Sequence, residues 1–301
     1  MSHPTNTRNP AYTPKDATPQ RRFPLRELVL FGALFVAVLA VYALMGAAYS
    51  TRMLVEAACY AILALGLTIQ WGYAGQFNAG VMGFVALGGF CAMLFSVPVN
   101  DAFWGTELPG ELGQIQSQAG FVGGFGLPPW VGWIVGGALA GGVGYFIGHV
   151  CLGLRSDYLA IATLGIAEII KAFLKNSDWL TRGTATVSPL PWPTPGPAEL
   201  GFTLSRAIYL SVTAVVIAVI FCLLHRAYHA PWGRMIRAIR DNEISSAAMG
   251  KDINKRRLEI FVLGCILMGL GGGMLGTFNS LFDPQGYLPL NHTFLVLVMV
   301  I

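Results

Sequence analysis

Four polar side chains interrupt the apolar runs of this sequence and are its first candidates for chemistry. Gln70, Gln76 and Asn78 stand among three glycines in one short stretch, and Glu168 lies deep in another apolar run. If these runs cross a membrane, backbone that leaves a helix there is tolerated only inside protein or beside a wet cavity. Ionisable residues at membrane depth are functional candidates by default. We therefore predict that these four residues line a translocation path.

Each polar group also has a simpler interpretation, which the sequence leaves open. The stretch from Gln70 to Gly80 could be a tight turn on the cytoplasmic side between two membrane spans. Lys171 follows Glu168 by three positions, on the same helical face, so the two charges could neutralise each other. By the same reasoning, Arg52 and Glu56 are expected to form an interfacial ion pair.

The composition excludes an ordinary soluble domain. The chain has 301 residues, of which 54% are hydrophobic and 11% charged, against roughly 25% charged in soluble proteins. A helix needs about 20 apolar residues to cross a bilayer. Seven runs meet or approach this length, and Phe294–Ile301 is expected to begin an eighth span that is cut short. The seven runs are 28–49, 53–71, 79–97, 130–152, 158–175, 207–224 and 258–281.

The sequence therefore predicts an all-α polytopic helical bundle in a membrane. We expect a disordered cytoplasmic tail at 1–26 and a transmembrane domain at 27–301 that is incomplete at its C-terminus. Placing the N-terminus in the cytoplasm puts fourteen of the nineteen Lys and Arg residues inside, which agrees with the loop-charge bias of membrane proteins. Two long external loops follow, at about 98–129 and 176–206.

Glycines at helical spacing predict close helix packing. Gly137 with Gly141, and Gly144 with Gly148, form two G-x-x-x-G pairs in the fourth run. Such pairs allow helix backbones to approach closely in lipid.

The longest internal loop, residues 225–257, carries eight basic residues. Within it Asp241 suits an N-cap, Glu243 suits a first turn, and Gly250 suits the left-handed position after a helix end, which predicts a short helix at about 242–249. Two isolated turns of helix are unstable in water, so this helix needs a docking surface. The alternative is a basic loop that is satisfied by anionic lipid.

No motif for catalysis is present in the sequence. There is no phosphate-binding G-x-x-x-x-G-K-S/T loop, nucleophile elbow or H-E-x-x-H. His225 and His229 have a spacing that can hold a metal but lack a third ligand nearby. We therefore expect no enzyme activity, no bound metal or cofactor and no nucleic-acid partner. Any ATP that drives the protein must be bound and hydrolysed by another chain.

Three blocks stand in order along the chain: the first runs from Ala61 to Gln76, the second from Asp157 to Ile170, and the third from Pro231 to Gly250. Together they resemble one family, the M subunits of branched-chain amino-acid ABC importer permeases, and this resemblance implies a place in the bacterial inner membrane. The likeness covers the chain from about residue 53 to its end.

The resemblance implies a set of partners and a role for the third block. The partners are a second permease subunit, two cytoplasmic ATPase subunits, a periplasmic solute-binding protein and the lipid membrane. The segment 233–250 corresponds to the loop that docks on the ATPase. The coupling residues are then Arg234, Arg237, Arg240, Asp241, Glu243, Ala247, Ala248 and Gly250.

Three other functions stay open at this point. Related permeases carry urea or short-chain amides, which would change the cargo only. A self-contained channel or secondary transporter would transport solute without an ATPase. A purely structural membrane subunit would leave uptake intact when it is deleted.

Overall fold

The computed structural model describes residues 25–99, 123–153, 156–181, 183–184, 186–250 and 252–301. The predicted tail, apart from its last two residues, and most of the first predicted external loop lie outside these ranges. The described part of the chain is helical, with two isolated antiparallel bridges, Val99 with Gly123 and Val187 with Phe282.

The helices are numbered here in chain order. They are α1 (Leu25–Met45), α2 (Ala47–Leu67), α3 (Val81–Ser96), α4 (Pro129–Cys151), α5 (Ser156–Asn176), α6 (Phe202–His229), α7 (Pro231–Asp241), α8 (Glu243–Ala248), α9 (Ile253–Asn279) and α10 (Leu295–Val300). A π-helical segment, Thr68–Tyr73, continues α2, and another, Leu290–Phe294, precedes α10. Single helical turns lie at Asp178–Thr181 and Pro197–Leu200.

The helices confirm an all-α membrane protein. Within the described ranges, four helices are long and apolar enough to cross a membrane: Ala47–Tyr73, α4, α6 and α9. Shorter apolar helices lie at Phe35–Met45, Val81–Ser96 and Leu290–Val300. The count of seven spans and a partial eighth stays a prediction.

The chain divides into two compact units at Gly46. In the first, α1 ends at a glycine with φ +83°, and the Gly46 amide donates to the carbonyl oxygen of Tyr42 at 3.1 Å. The second unit, Ala47–Ile301, contains every other feature described below.

Helix α9 lies at the centre of the second unit and packs against α2, α3 and α4. Its last two turns are buried from Gly271 to Phe278. A Cβ atom added to Gly144 of α4 would lie 2.8 Å from the Cys265 sulfur, and one added to Gly66 of α2 would lie 2.9 Å from the Gly264 carbonyl oxygen. The absence of side chains therefore permits these helix contacts, and the predicted G-x-x-x-G packing of α4 is confirmed.

Two contacts show which ends of α2, α6 and α9 lie together. The start of α6 meets the start of α2, where Arg206 donates to the Ala48 carbonyl oxygen at 2.7 Å. The start of α9 meets the end of α2, because Gln70 contacts Phe261. One end of the unit therefore carries α7 and α8, and the other carries the beginnings of α2 and α6 and the end of α9.

Candidate functional site

The polar stretch predicted to line a path is where α2 stops being an α-helix. The backbone widens into the π-helical segment and turns at Gly75, which has φ +68°. The Gly75 amide donates to the Trp71 carbonyl oxygen at 3.0 Å, and the Gln76 amide donates to that of Gln70 at 2.9 Å. From Gly75 to Gly80 the chain has no regular structure before α3 begins. We call residues 68–80 the polar connection.

Two amide side chains hold the polar connection inside the protein. Gln70 and Asn78 are both fully buried. The Asn78 Nδ2 donates to Gln70 Oε1 at 2.9 Å, and the Gln70 Nε2 donates to the Phe261 carbonyl oxygen at 2.8 Å. The Asn78 Oδ1 in turn accepts from the Gly80 amide at 2.8 Å. This pair of amides therefore joins α2, the beginning of α3 and α9 through direct hydrogen bonds.

A fourth helix, α5, contacts the same point. The Ala79 amide donates to the hydroxyl oxygen of Thr163 at 3.1 Å, and that hydroxyl donates to the Ala160 carbonyl oxygen at 3.0 Å. Thr163 is buried. A Cβ added to Gly80 would lie 2.6 Å from the Thr163 carbonyl oxygen, so α5 approaches the backbone of the connection directly.

Gln76 lies on the side of the connection that faces the start of α9. Its Nε2 donates to the Arg257 carbonyl oxygen at 3.0 Å, whereas its buried Oε1 has no hydrogen-bond partner among the described residues. The buried side-chain amide of Gln76 therefore uses its NH2 group but not its oxygen in hydrogen bonds to the described residues.

Glu168 stands apart from the other three predicted path residues. It is exposed on α5, and among the described residues it forms no ion pair with Lys171. The pair is one of the alternatives that the sequence leaves open, and it does not form between these two described residues because a spacing of three permits contact without requiring it. The predicted pair of Arg52 and Glu56 is confirmed, with an N–O distance of 3.0 Å. The path role of Gln70, Gln76, Asn78 and Glu168 stays a prediction.

The 225–257 loop folds into two helices, of which sequence reasoning predicted one. Helix α7 starts at Pro231, whose ring suits a first helical position. Ile236 and Ile239 are buried, and Arg234 and Arg240 are exposed. The proline and the apolar pair three residues apart were the signals that could have revealed α7.

Arginine side chains fix α7 to the rest of the unit. The Arg237 guanidinium lies 4.2 Å from the centre of the Tyr228 ring and donates to its hydroxyl at 3.1 Å. The Arg240 guanidinium donates to the carbonyl oxygen of Gly72. Arg240 thus joins α7 to the polar connection, a contact that spacing alone could not predict.

The start of α7 is tied to α9 by a polar triad. The Trp232 indole Nε1 donates to the Glu259 carboxylate at 3.1 Å, and Arg256 pairs with the same carboxylate at 2.8 Å. Gly233 lies against the Tyr228 backbone, where no side chain would fit.

Helix α8 ends in an exposed tip, residues 247–250. Ala247, Ala248, Met249 and Gly250 are exposed, and Met249 reaches 74%. Gly250 has φ +73° and its amide donates to the Ala247 carbonyl oxygen at 2.9 Å, as expected of a residue after a helix end.

The beginning of α8 differs from the prediction. Asp241 is the last residue of α7 and not the N-cap of α8, because the carbonyl oxygen of Asn242 accepts the amide of Ser246 at 3.2 Å. The side chain of Glu243 lies outside the described residues.

Most of the charged side chains around these elements are basic and do not form a cluster of metal ligands. Among the described residues, no group of three or more His, Cys, Asp or Glu side chains could hold a metal ion. The helices, the buried amides and the exposed tip together define a polytopic membrane protein whose helices meet at a polar connection.

Residues 49–301 match the family described as "Branched-chain amino acid transport system / permease component". The chain belongs to this family.

Curated relatives include the high-affinity branched-chain amino acid transport system permease proteins LivM of Escherichia coli and of Salmonella typhimurium. They are 26% and 25% identical over 262 residues, which cover 80% of this chain and 56% of each relative. A probable branched-chain amino acid transport permease protein LivM of Methanocaldococcus jannaschii is 23% identical over 257 residues, 80% of this chain and 71% of that protein. The chain thus spans little more than half the length of the first two relatives. No solved structure is significantly similar to it.

Proposed function

We propose that the chain is a permease subunit of an ATP-driven ABC importer for branched-chain or related amino acids in the bacterial inner membrane. Its partners are a second permease, two cytoplasmic ATPase subunits that bind ATP, and a periplasmic solute-binding protein. The N-terminus is cytoplasmic, and the chain itself is not an enzyme. The names of the relatives and the membership of the family support this assignment.

The observation that carries the coupling role is the chain of contacts from the exposed tip to the buried amides. The tip belongs to α8, α8 follows α7 directly, and Arg240 of α7 binds the carbonyl oxygen of Gly72. Gly72 lies two residues after Gln70, whose side chain binds α9 and Asn78. A displacement of the tip can therefore reach the point where α2, α3, α5 and α9 meet.

In the proposed mechanism the ATPase subunits grip the tip of α8 and move α7 when they close on ATP. Small side chains at Ala247 and Ala248 permit close approach of another protein, and Met249 adds an adaptable apolar contact. The movement changes the packing of the glycine-rich helices around α9, and the path opens to each side in turn. Gln70, Gln76, Asn78 and Glu168 are proposed to face the solute only when the path is open, because Gln70 and Asn78 are fully buried in this structure.

The experiment substitutes the tip and measures ATPase association and uptake separately. We expect Ala248→Trp and Gly250→Val to abolish co-purification of the ATPase subunits from membranes and to abolish ATP-dependent uptake of L-leucine. Ala214→Trp, at an exposed alanine in the middle of α6, is the matched control and is expected to retain both. Normal association and uptake in both tip variants would exclude the docking role.

A second measurement separates an importer from a self-contained transporter. The purified chain in liposomes, without ATPase subunits, is expected to carry no leucine. Leucine entry under those conditions would contradict the proposed coupling to ATP.

A further inference from the structure

Two cavities open at the end of the second unit opposite α7 and α8. They lie where the beginnings of α2 and α6 meet the end of α9, and their volumes are about 530 and 350 Å³. Arg52 and Asn279 line both of them. The two spaces are therefore neighbouring lobes, with one guanidinium and one amide at their boundary.

The larger lobe is cationic. Among the described residues, Arg52 and Arg206 are the charged side chains in its lining. Arg206 donates to the Ala48 carbonyl oxygen at 2.7 Å and lies 5.4 Å from the centre of the Phe202 ring, which together hold the guanidinium in place. The hydroxyl of Thr194, in the same lining, is buried and has no hydrogen-bond partner within the part of the chain that the structure describes.

The smaller lobe has acidic groups on its wall. Glu56 and Asp283 line it, with Arg52 at its boundary bound to Glu56 at 3.0 Å. Its remaining wall includes aromatic and apolar side chains, among them Tyr60, Leu275 and Tyr287. An apolar wall next to opposite charges fits a small molecule that carries both charges and a hydrocarbon group.

We propose that these two lobes form one binding site for a zwitterionic α-amino acid with an aliphatic side chain. Its carboxylate lies between Arg52 and Arg206, where two guanidinium groups offer forked donors. Its ammonium lies toward Glu56 and Asp283, and its side chain lies against the apolar wall of the smaller lobe. This proposal rests on the proposed function and adds a selection for zwitterions over neutral amides and over solutes with a single charge.

The first test measures binding to the whole transporter purified without its solute-binding protein. Radiolabelled L-leucine is the probe, and leucinamide, which lacks the carboxylate, and 4-methylpentanoate, which lacks the ammonium, are the competitors. We expect leucine to bind, and each competitor to need at least about a tenfold higher concentration to displace it. Absence of leucine binding, or equal competition by either analogue, would overturn the proposal.

The second test exchanges the charges of one ion pair. The double variant Arg52→Glu with Glu56→Arg keeps an i,i+4 pair and the net charge, but it places a carboxylate at the boundary where the guanidinium stood. We expect leucine binding to weaken at least about tenfold. A purely structural ion pair would survive this exchange, so unchanged binding would contradict the site.

Single variants complete the design. Arg206→Gln and Asp283→Asn are expected to weaken leucine binding, whereas Arg226→Gln, near the other end of α6, is the control and is expected to bind normally. ATPase association is measured in every variant. If association and ATP-dependent uptake persist while all site variants bind leucine as the wild type does, this site is excluded and the proposed function stands. If the unsubstituted chain does not associate with the ATPase subunits, the proposed function itself is contradicted.

Discussion

Removal of one amide from the Gln70–Asn78 pair is the most informative perturbation of the bundle. Gln70→Met replaces the side chain by an unbranched apolar one of similar size. The space is narrow, because a Cβ atom added to Gly264 would lie 2.5 Å from Gln70 Cγ, and an unbranched side chain fits it. The change deletes the acceptor of Asn78 Nδ2 and the bond to the Phe261 carbonyl oxygen.

The burial of Asn78 sets the size of the expected loss in the free energy of unfolding. Asn78 is fully buried, so its Nδ2 loses its Gln70 acceptor without a route to water. An unsatisfied buried donor costs about 1–3 kcal/mol, and a lost hydrogen bond contributes about 1 kcal/mol more. We therefore expect Gln70→Met to lower the free energy of unfolding by about 2–4 kcal/mol. Asn78→Leu strands Gln70 Oε1 in the same way and is expected to cost a similar amount.

The double variant separates pairing from general packing. When both amides are replaced, no amide group of the pair remains buried without its partner. The double variant is therefore expected to lose less free energy of unfolding than the sum of the two single variants, by about 1–3 kcal/mol. Denaturant unfolding in detergent micelles measures all three variants. Gln70→Met combined with Ser96→Ala, at the other end of α3, is the control pair and should be additive within about 0.5 kcal/mol. If the free-energy losses of Gln70→Met and Asn78→Leu simply add, the two amides do not stabilise the protein as a pair.

Three further changes test the contacts around this pair. Arg240→Gln removes the bond to the Gly72 carbonyl oxygen. We expect leucine uptake to fall severalfold while the ATPase subunits still associate normally. Loss of this association would show that Arg240 acts in docking. Gly250→Ala meets a left-handed backbone and is expected to destabilise the end of α8 by about 1 kcal/mol, measured by hydrogen exchange, and unchanged exchange would contradict this. Gly144→Val overpacks the contact with Cys265 and is expected to cost about 1–3 kcal/mol in unfolding, partly recovered by adding Cys265→Ala. No recovery in that double variant would place the strain elsewhere.

Composition and periodicity predicted the helical class because burial of apolar surface in a bilayer leaves few other solutions. They also predicted the close packing of α4, since glycine spacing reports directly on how near a neighbouring helix can lie. Gly250 was predicted correctly for a related reason, as only a few residue types tolerate φ +73°.

The contacts between distant segments could not be predicted in this way. Gln70 and Asn78 are close in sequence, but Phe261, the other partner of Gln70, is 191 positions away from it. Side chains that look polar in a sequence can line water or satisfy a distant carbonyl, and only the fold decides between these outcomes. Glu168 shows the converse, because its spacing to Lys171 permitted a pair that does not form.

The position of Arg240 explains why the polar connection need not be a helix. In a continuous α-helix through residues 68–80 the Gly72 carbonyl oxygen would accept the amide of Gln76. Here that amide donates to the Gln70 carbonyl oxygen, Gly72 accepts from Arg240, and Asn78 binds Gln70. The departure from regular helix therefore creates both the anchor for α7 and the buried amide pair, so that a force on one acts on the other through a few backbone atoms.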